Sequence, residues 1–215
     1  MKKNIGEFVS KLILANGCSH TAGSECTTSW GNEISKKLNG NLMNISQPGG
    51  SNHRIMRTTI EWIQARTVKP DLVLIGWTTH ERFEITWRGK RIDYTLDKRS
   101  DDPDIERMYR FFDLNVADWD IGVDNTMLYQ YNLQLFLKAF DIPYVFCNMF
   151  NSIPKGLTSP IWQAIDKSRY VEPYSSFIEK YRELYPDMFS ETVHATEPFI
   201  HECIANDIMK EIDFE

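Results

Sequence analysis

Apolar positions in the first third of the chain fall into two kinds of run. Lys11-Leu12-Ile13-Leu14-Ala15-Asn16, closed by Gly17, is a short continuous apolar stretch ending in a tight turn, the pattern of a strand buried on both faces. Over 29–38 the apolar residues Trp30, Ile34 and Leu38 fall four apart on one helical face; Ser29 and Glu33 provide a start and Asn39-Gly40 a stop. Residues 41–45 read as a second short strand and Gln47-Pro48-Gly49-Gly50 as a loop. An amphipathic helix through Ile55, Thr59, Trp62 and Ile63 comes next, capped by Ser51 or Asn52. Pro70-Asp71 then leads into Leu72-Val73-Leu74-Ile75-Gly76, the clearest buried strand. This β-α-β-α-β order predicts an α/β protein with a parallel sheet, helices on both faces and right-handed crossovers. Ligands in such sheets bind at the carboxyl ends of the strands, which directs attention to loops 17–24, 47–52 and 77–84.

The regularity breaks over 82–120. Phe83, Ile85 and Trp87 alternate, Arg88-Gly89-Lys90-Arg91 forms a turn, and Ile92, Tyr94 and Leu96 alternate after it, which predicts a β-hairpin and then an irregular, lid-like insertion. Helical periodicity resumes over 124–140. Residues 142–147 form a fourth core strand with Pro143 tolerated at its start, 153–173 are irregular, and helices are expected over 175–185 and 196–212. The reading is one domain over 11–212 with an insertion at about 82–120.

Composition narrows the function classes. With 42% hydrophobic and 25% charged residues, the 215-residue chain is of ordinary globular make-up, against disorder, collagen-like repeats or a coiled coil. The 24 Lys+Arg against 30 Asp+Glu give a net charge of −6 with no basic run, so no nucleic-acid partner is expected. Cys18, Cys26, Cys147 and Cys203 are scattered without a CxxC pair and read as reduced thiols. No HxH or HExxH spacing occurs, so neither a metal nor another cofactor is expected. No run approaches the ~18 apolar residues of a membrane span. Lys2-Lys3, the apolar stretch 8–15 and Gly17-Cys18 superficially resemble a lipoprotein signal. Lys11 interrupts that stretch, however, and cleavage before Cys18 would remove the first buried strand, so a cytoplasmic protein without a membrane partner is expected.

The most informative segment is Asn16-Gly17-Cys18-Ser19-His20-Thr21-Ala22-Gly23, a strand end leading into a small-residue turn that exposes one hydroxyl. Ser19 is the candidate nucleophile. A serine hydroxyl needs an adjacent base, normally a histidine oriented by a carboxylate, and Glu191-Thr192-Val193-His194 before the last helix supplies both. Cys18 is a rival nucleophile, but strand alternation points it away from Ser19, into the interior.

In these blocks and their order the chain resembles the SGNH (GDSL-type) hydrolases. Gly17-Cys18-Ser19 is similar to that family's Gly-Asp-Ser block and Gly49 to its oxyanion-hole glycine. Gly76-Trp77-Thr78-Thr79 stands where the family has Gly-x-Asn-Asp, and Glu191-x-x-His194 where it has Asp-x-x-His. The resemblance implies a flavodoxin-like three-layer α/β/α sandwich and cleavage of esters through an acyl-enzyme. Ser19 would attack, His194 would act as base, Glu191 would orient it, and the Ser19 and Gly49 N–H groups would hold the oxyanion. Thr78 replaces the asparagine donor, and loss of one such donor can cost about 100- to 1000-fold in rate; Thr78, Asn52 or His80 is left to fill the hole. Glu191 is one methylene longer than the usual aspartate, with Asp187 a weaker substitute.

His20, Trp77 and His80 are candidate substrate contacts. Trp77, Phe83, Trp87, Tyr94 and Trp119 are candidates for an aromatic platform, while Arg82, Glu84, Arg88 and Lys90 read as a solvated hairpin face, with Arg82 also a candidate contact for an anionic substrate. The expected partner is a small-molecule or glycan ester, with a carbohydrate O-acetyl ester implied by the resemblance; oligomeric state is not legible. The alternative from another class is a binding protein that keeps the fold but has lost an effective oxyanion hole.

Overall fold

The computed structural model describes residues 10–95, 98–115, 119–151, 153–154 and 156–211. The segment with Lys2, Lys3 and Phe8 that bears on the signal reading lies outside them, as do Leu96 and the last residue of the final predicted helix.

Five parallel strands make the central sheet: β1 (Leu12–Gly17), β2 (Asn41–Asn44), β3 (Leu72–Trp77), β6 (Tyr144–Asn148) and β7 (Tyr170–Val171). Their spatial order is β2-β1-β3-β6-β7, so the chain winds outward in both directions from β1 and β3. The crevice at the carboxyl ends of those two strands is the switch point of a doubly wound fold. The α/β/α sandwich expected from the alternation is therefore present.

Strand alternation sorts the core into two layers. Ile13, Ala15, Leu72, Leu74, Val145 and Cys147 face one side. There they meet Ile34 of α2 (Trp30–Lys37), Phe177 and Tyr181 of α7 (Phe177–Leu184), and Ile200, Ile204 and Ile208 of α8 (Pro198–Glu211). Leu14, Val73, Ile75 and Phe146 face the other side, against Ile55 and Ile63 of α3 (Asn52–Gln64) and Met127 and Leu133 of α5 (Trp119–Ala139). Both faces being covered, the central strands read as unbroken apolar runs. The helix starts obey the expected chemistry: the Ser29 hydroxyl accepts from Asn32 N–H at 3.3 Å, and the Ser51 hydroxyl from Arg54 N–H at 3.2 Å.

The sequence missed β7. Its two residues carry too little pattern to be seen, and pairing with Phe146 and Cys147 alone makes it a strand. Before it, a short helix α6 (Pro160–Ala164) occupies part of the segment expected to be irregular.

The hairpin forms as expected from β4 (Phe83–Trp87) and β5 (Lys90–Tyr94), antiparallel and separate from the main sheet. The remainder of the insertion is more regular than the sequence indicated: α4 (Pro103–Asn115) covers the hairpin, and α5 starts at Trp119 rather than near Asp124. Phe83, Tyr94, Tyr109 and Phe112 pack together with ring centroids 5.4–6.1 Å apart, a small core of its own. The Arg57 guanidinium on α3 grips the buried Glu84 carboxylate, and the Ser51 hydroxyl donates to Asp93 at 3.3 Å. The hairpin is thus fixed to the first turns of α3 beside the Gly49 loop. No helix among the described residues is long and apolar enough to cross a membrane.

Candidate active site

Ser19 opens α1 (Ser19–Ala22), one turn of helix set on the end of β1. The turn seats closely because two glycines face each other on adjacent strands. Gly17 pairs with Gly76, and a Cβ built on either would stand 2.2 Å from the Thr21 hydroxyl. Thr21 therefore occupies the space their missing side chains leave and draws α1 onto the sheet. The Ser19 N–H lies at the helix start, where an amide has no intrahelical acceptor. The Gly49 N–H likewise donates to no group among the described residues, and Gly49 holds φ +75°, a left-handed conformation that suits glycine.

His194 reaches the same turn from the loop before α8. Its ring lies 4.8 Å from that of His20, centroid to centroid, and His20 in turn stacks on Phe150 at 5.4 Å. The carboxylate beside it is Glu25, with Oε1 3.1 Å from His194 Nδ1. The expected partner, Glu191, is exposed and makes no hydrogen bond or ion pair among the described residues. Three residues from the histidine in sequence, it sits on a turn whose geometry carries it away. Asp187 is set apart as well, in a separate short helical turn.

Two hydroxyls complete the arrangement. Thr192 donates to Glu25 Oε1 at 2.5 Å and lies 3.0 Å from His194 Nδ1, and Ser190 Oγ lies 2.8 Å from Thr192 Oγ1. The single Thr192 proton is committed to Glu25, so its oxygen can face Nδ1 only if that nitrogen carries the imidazole hydrogen. Nε2 is then the basic nitrogen. It is buried and without a hydrogen-bond partner among the described residues. Hydrogen bonds from Ser190 and Thr192, then the nearby His194, hold the Glu25 carboxyl below the usual carboxylate range despite some desolvation. Glu25 and Val193 both adopt positive φ, 65° and 67°. That conformation is costly for a β-branched valine and typical of segments held for a purpose.

The candidates for a side-chain oxyanion donor separate clearly. Asn52 is committed at both ends: Oδ1 accepts from Thr78 N–H at 2.9 Å, and Nδ2 donates to the Thr78 carbonyl and the Thr126 hydroxyl, each at 3.0 Å. It clamps α3 to the end of β3 and has no donor left for a substrate. Thr78 Oγ1 accepts from Arg82 Nη1 at 2.9 Å, which leaves its own proton to give.

Other expectations need correction. Trp77 lies wholly in the core, its ring 5.2 Å from Phe146 in an edge contact, because strand alternation turns it away from the crevice. His80 is buried against Gly122 of α5. Phe83 and Tyr94 belong to the hairpin core rather than to a platform, and the Trp119 side chain lies outside the described residues. Cys18 is buried, as its alternation required. A cavity of 320 Å³ is lined by Phe150, Ile178, Glu179, Arg182, Glu183 and Val193; Phe150 is the ring that His20 stacks on, and Val193 precedes His194. A larger one of 620 Å³, between α2, β2 and the start of α8, includes none of these site residues.

His20 and His201 carry a pH consequence. Burial, then the charges of His194 and Arg82, lowers His20 to about 3, and burial lowers His201 to about 4. Both rings stay neutral in the native state while their unfolded counterparts protonate near 6.5, so the unfolded chain binds more protons between about 4 and 6.5. Stability from these groups is fully present above 6.5 and drains away as pH falls, on the order of 5 kcal/mol for His20 and 3 kcal/mol for His201 when complete. Denaturant midpoints across pH 4–8 should drop below pH 6.5, less steeply in His201→Phe; a flat profile refutes this.

The class defined by this fold is the doubly wound α/β sandwich also adopted by several esterases. A catalytic mutant of Axe2, an acetylxylan esterase from Geobacillus stearothermophilus, shares 16% identity over 95% of both chains with a TM-score of 0.55. The psychrotrophic esterase EstA from Pseudoalteromonas sp. shares 14% over 94% of this chain and 98% of its own, at 0.54. The acetyl xylan esterase AlAXEase shares 10% over 94% and 100%, at 0.56. At such identities the likeness is one of fold. No curated protein matches the sequence. The chain belongs to DUF6071, a family of unknown function whose model matches residues 22–174.

Proposed function

We propose that the protein is a serine-dependent ester hydrolase acting on a carbohydrate O-acetyl ester. The observation that carries this reading is His194, with Nδ1 against Glu25 and an unpartnered, buried Nε2, beside the turn that presents Ser19. In the proposed reaction His194 Nε2 takes the Ser19 proton as the hydroxyl attacks the ester carbonyl, and Glu25 stabilises the resulting imidazolium through Nδ1–H. The Ser19 and Gly49 N–H groups and the Thr78 hydroxyl receive the oxyanion. His194 then returns its proton to the leaving alcohol, and a water activated by the same nitrogen releases acetate from Ser19. The cavity beside Phe150 and Val193 offers room for part of the alcohol. The acetylated-carbohydrate substrate draws on the acetylxylan esterases among the proteins of like fold.

Intact-mass measurement after incubation with a fluorophosphonate tests the reading. One adduct is expected on the parent and none on Ser19→Ala or His194→Ala. An unlabelled but folded parent protein, or an adduct that persists in Ser19→Ala, would overturn it.

A further inference from the structure

Arg82 lies five residues beyond the end of β3 and just before the hairpin, half-buried at the carboxyl end of the sheet. Its guanidinium donates to the Thr78 hydroxyl at 2.9 Å and forms no ion pair among the described residues. That is unusual in its surroundings. Arg57, Arg88, Arg91, Arg107 and Arg110, on the hairpin and the helices against it, each face a carboxylate. The chain as a whole carries six more acidic than basic side chains, so counter-charges are not scarce. The adjacent Glu81 does not supply one; its carboxylate accepts from Thr79 at 3.3 Å instead. Holding a guanidinium partly out of water without an opposite charge is unfavourable unless a ligand brings that charge.

The position is informative too. Thr78 follows directly on β3, the strand that pairs with β1, and Arg82 is close enough to His20 for its charge to oppose protonation of that ring. With one N–H on Thr78, four of the five guanidinium donors have no acceptor among the described residues, a fork suited to two carboxylate oxygens. The oxyanion of the reaction exists only briefly and already has two backbone donors, whereas Arg82 is charged at all times.

We infer that Arg82 binds a carboxylate carried on the alcohol side of the substrate, so that the ester cleaved is an O-acetyl group on an acidic molecule. This rests on the hydrolase reading above. Aryl acetates bearing a carboxylate at the 3- or 4-position, compared with the matching carboxamides, keep leaving groups similar while changing the charge. For at least one position the parent is expected to favour the carboxylate by tenfold or more in kcat/KM, with the preference shrinking as ionic strength rises. Arg82→Gln should lose at least tenfold more on the carboxylate than on the carboxamide, chiefly through KM, and Arg82→Lys should recover part of the difference. Equal treatment of the two esters by the parent, a preference that survives in folded Arg82→Gln, or the same loss of kcat on both esters would overturn the inference. Calorimetry of the same pairs on Ser19→Ala separates the two readings. A protein that binds the carboxylate through Arg82 without turnover defeats the hydrolase alone, and one that cleaves both esters alike defeats the acidic substrate alone.

Discussion

Glu25→Gln is expected to slow ester turnover, and the rate of fluorophosphonate labelling, by about 100- to 10,000-fold, while Glu191→Gln stays within about threefold of the parent. The Glu25 carboxylate lies against His194 Nδ1 and fixes the hydrogen there, and in the proposed reaction its charge would also stabilise the imidazolium formed as Nε2 takes the serine proton. A glutamine amide offers Nδ1 either an acceptor without charge or a donor, and the donor orientation favours the wrong tautomer. Thr192 remains to hold the ring, so the histidine keeps its place while losing its poise. Glu191 has no hydrogen bond or ion pair to lose among the described residues. The opposite result, with Glu191→Gln crippled and Glu25→Gln unaffected, would return the orienting role to the residue the sequence suggested.

Gly17→Ala is expected to destabilise the fold by about 3 kcal/mol or more in denaturant unfolding, with no recovery on adding Thr21→Ala. The new methyl would stand 2.5 Å from Thr21 Cβ and 2.8 Å from the Gly76 carbonyl oxygen, and neither alanine at position 21 nor a rotamer change moves those atoms. Gly76→Ala meets only side-chain atoms, Thr21 Oγ1 at 2.2 Å and Met149 Cγ at 2.6 Å, so Thr21→Ala should restore part of its loss. A Gly17→Ala protein as stable as the parent would show that Thr21 does not fill the gap between the strands. Because α1 carries Ser19, both alanine variants should also label more slowly than their residual folding explains.

Legibility in the sequence tracks the range of the interactions involved. The first three strands and the intervening helices could be read because each leaves a local trace: an apolar run for a strand covered on both faces, a four-residue spacing for a helix, and Ser29 and Ser51 as caps. The hairpin was visible by the same logic, through alternation on both sides of Arg88-Gly89. The two residues of β7 leave no trace, because pairing alone makes them a strand. Ser19, His194 and Gly49 stood out through motif and position, and the structure sets two of them, Ser19 and His194, at one crevice. Trp77 and His80 were read as substrate contacts because their loop is correctly placed, but facing is decided side chain by side chain.

The sequence by itself thus determined the layers of the fold, since periodicity and turn chemistry act between near neighbours, and singled out Ser19 and His194 as candidates at the carboxyl end of the sheet. Only the tertiary structure decided which carboxylate meets the histidine and which oxyanion candidates are already spent. Thr192 and Glu25 are 167 residues apart, and the local spacing points to Glu191 rather than Glu25. Asn52, likewise, looks available until its clamp on Thr78 is seen. The physical reason is that a hydrogen bond is made or lost over less than an ångström, while the backbone geometry that sets that distance, here two left-handed residues and a pair of facing glycines, emerges only when the packed sheet brings distant loops together.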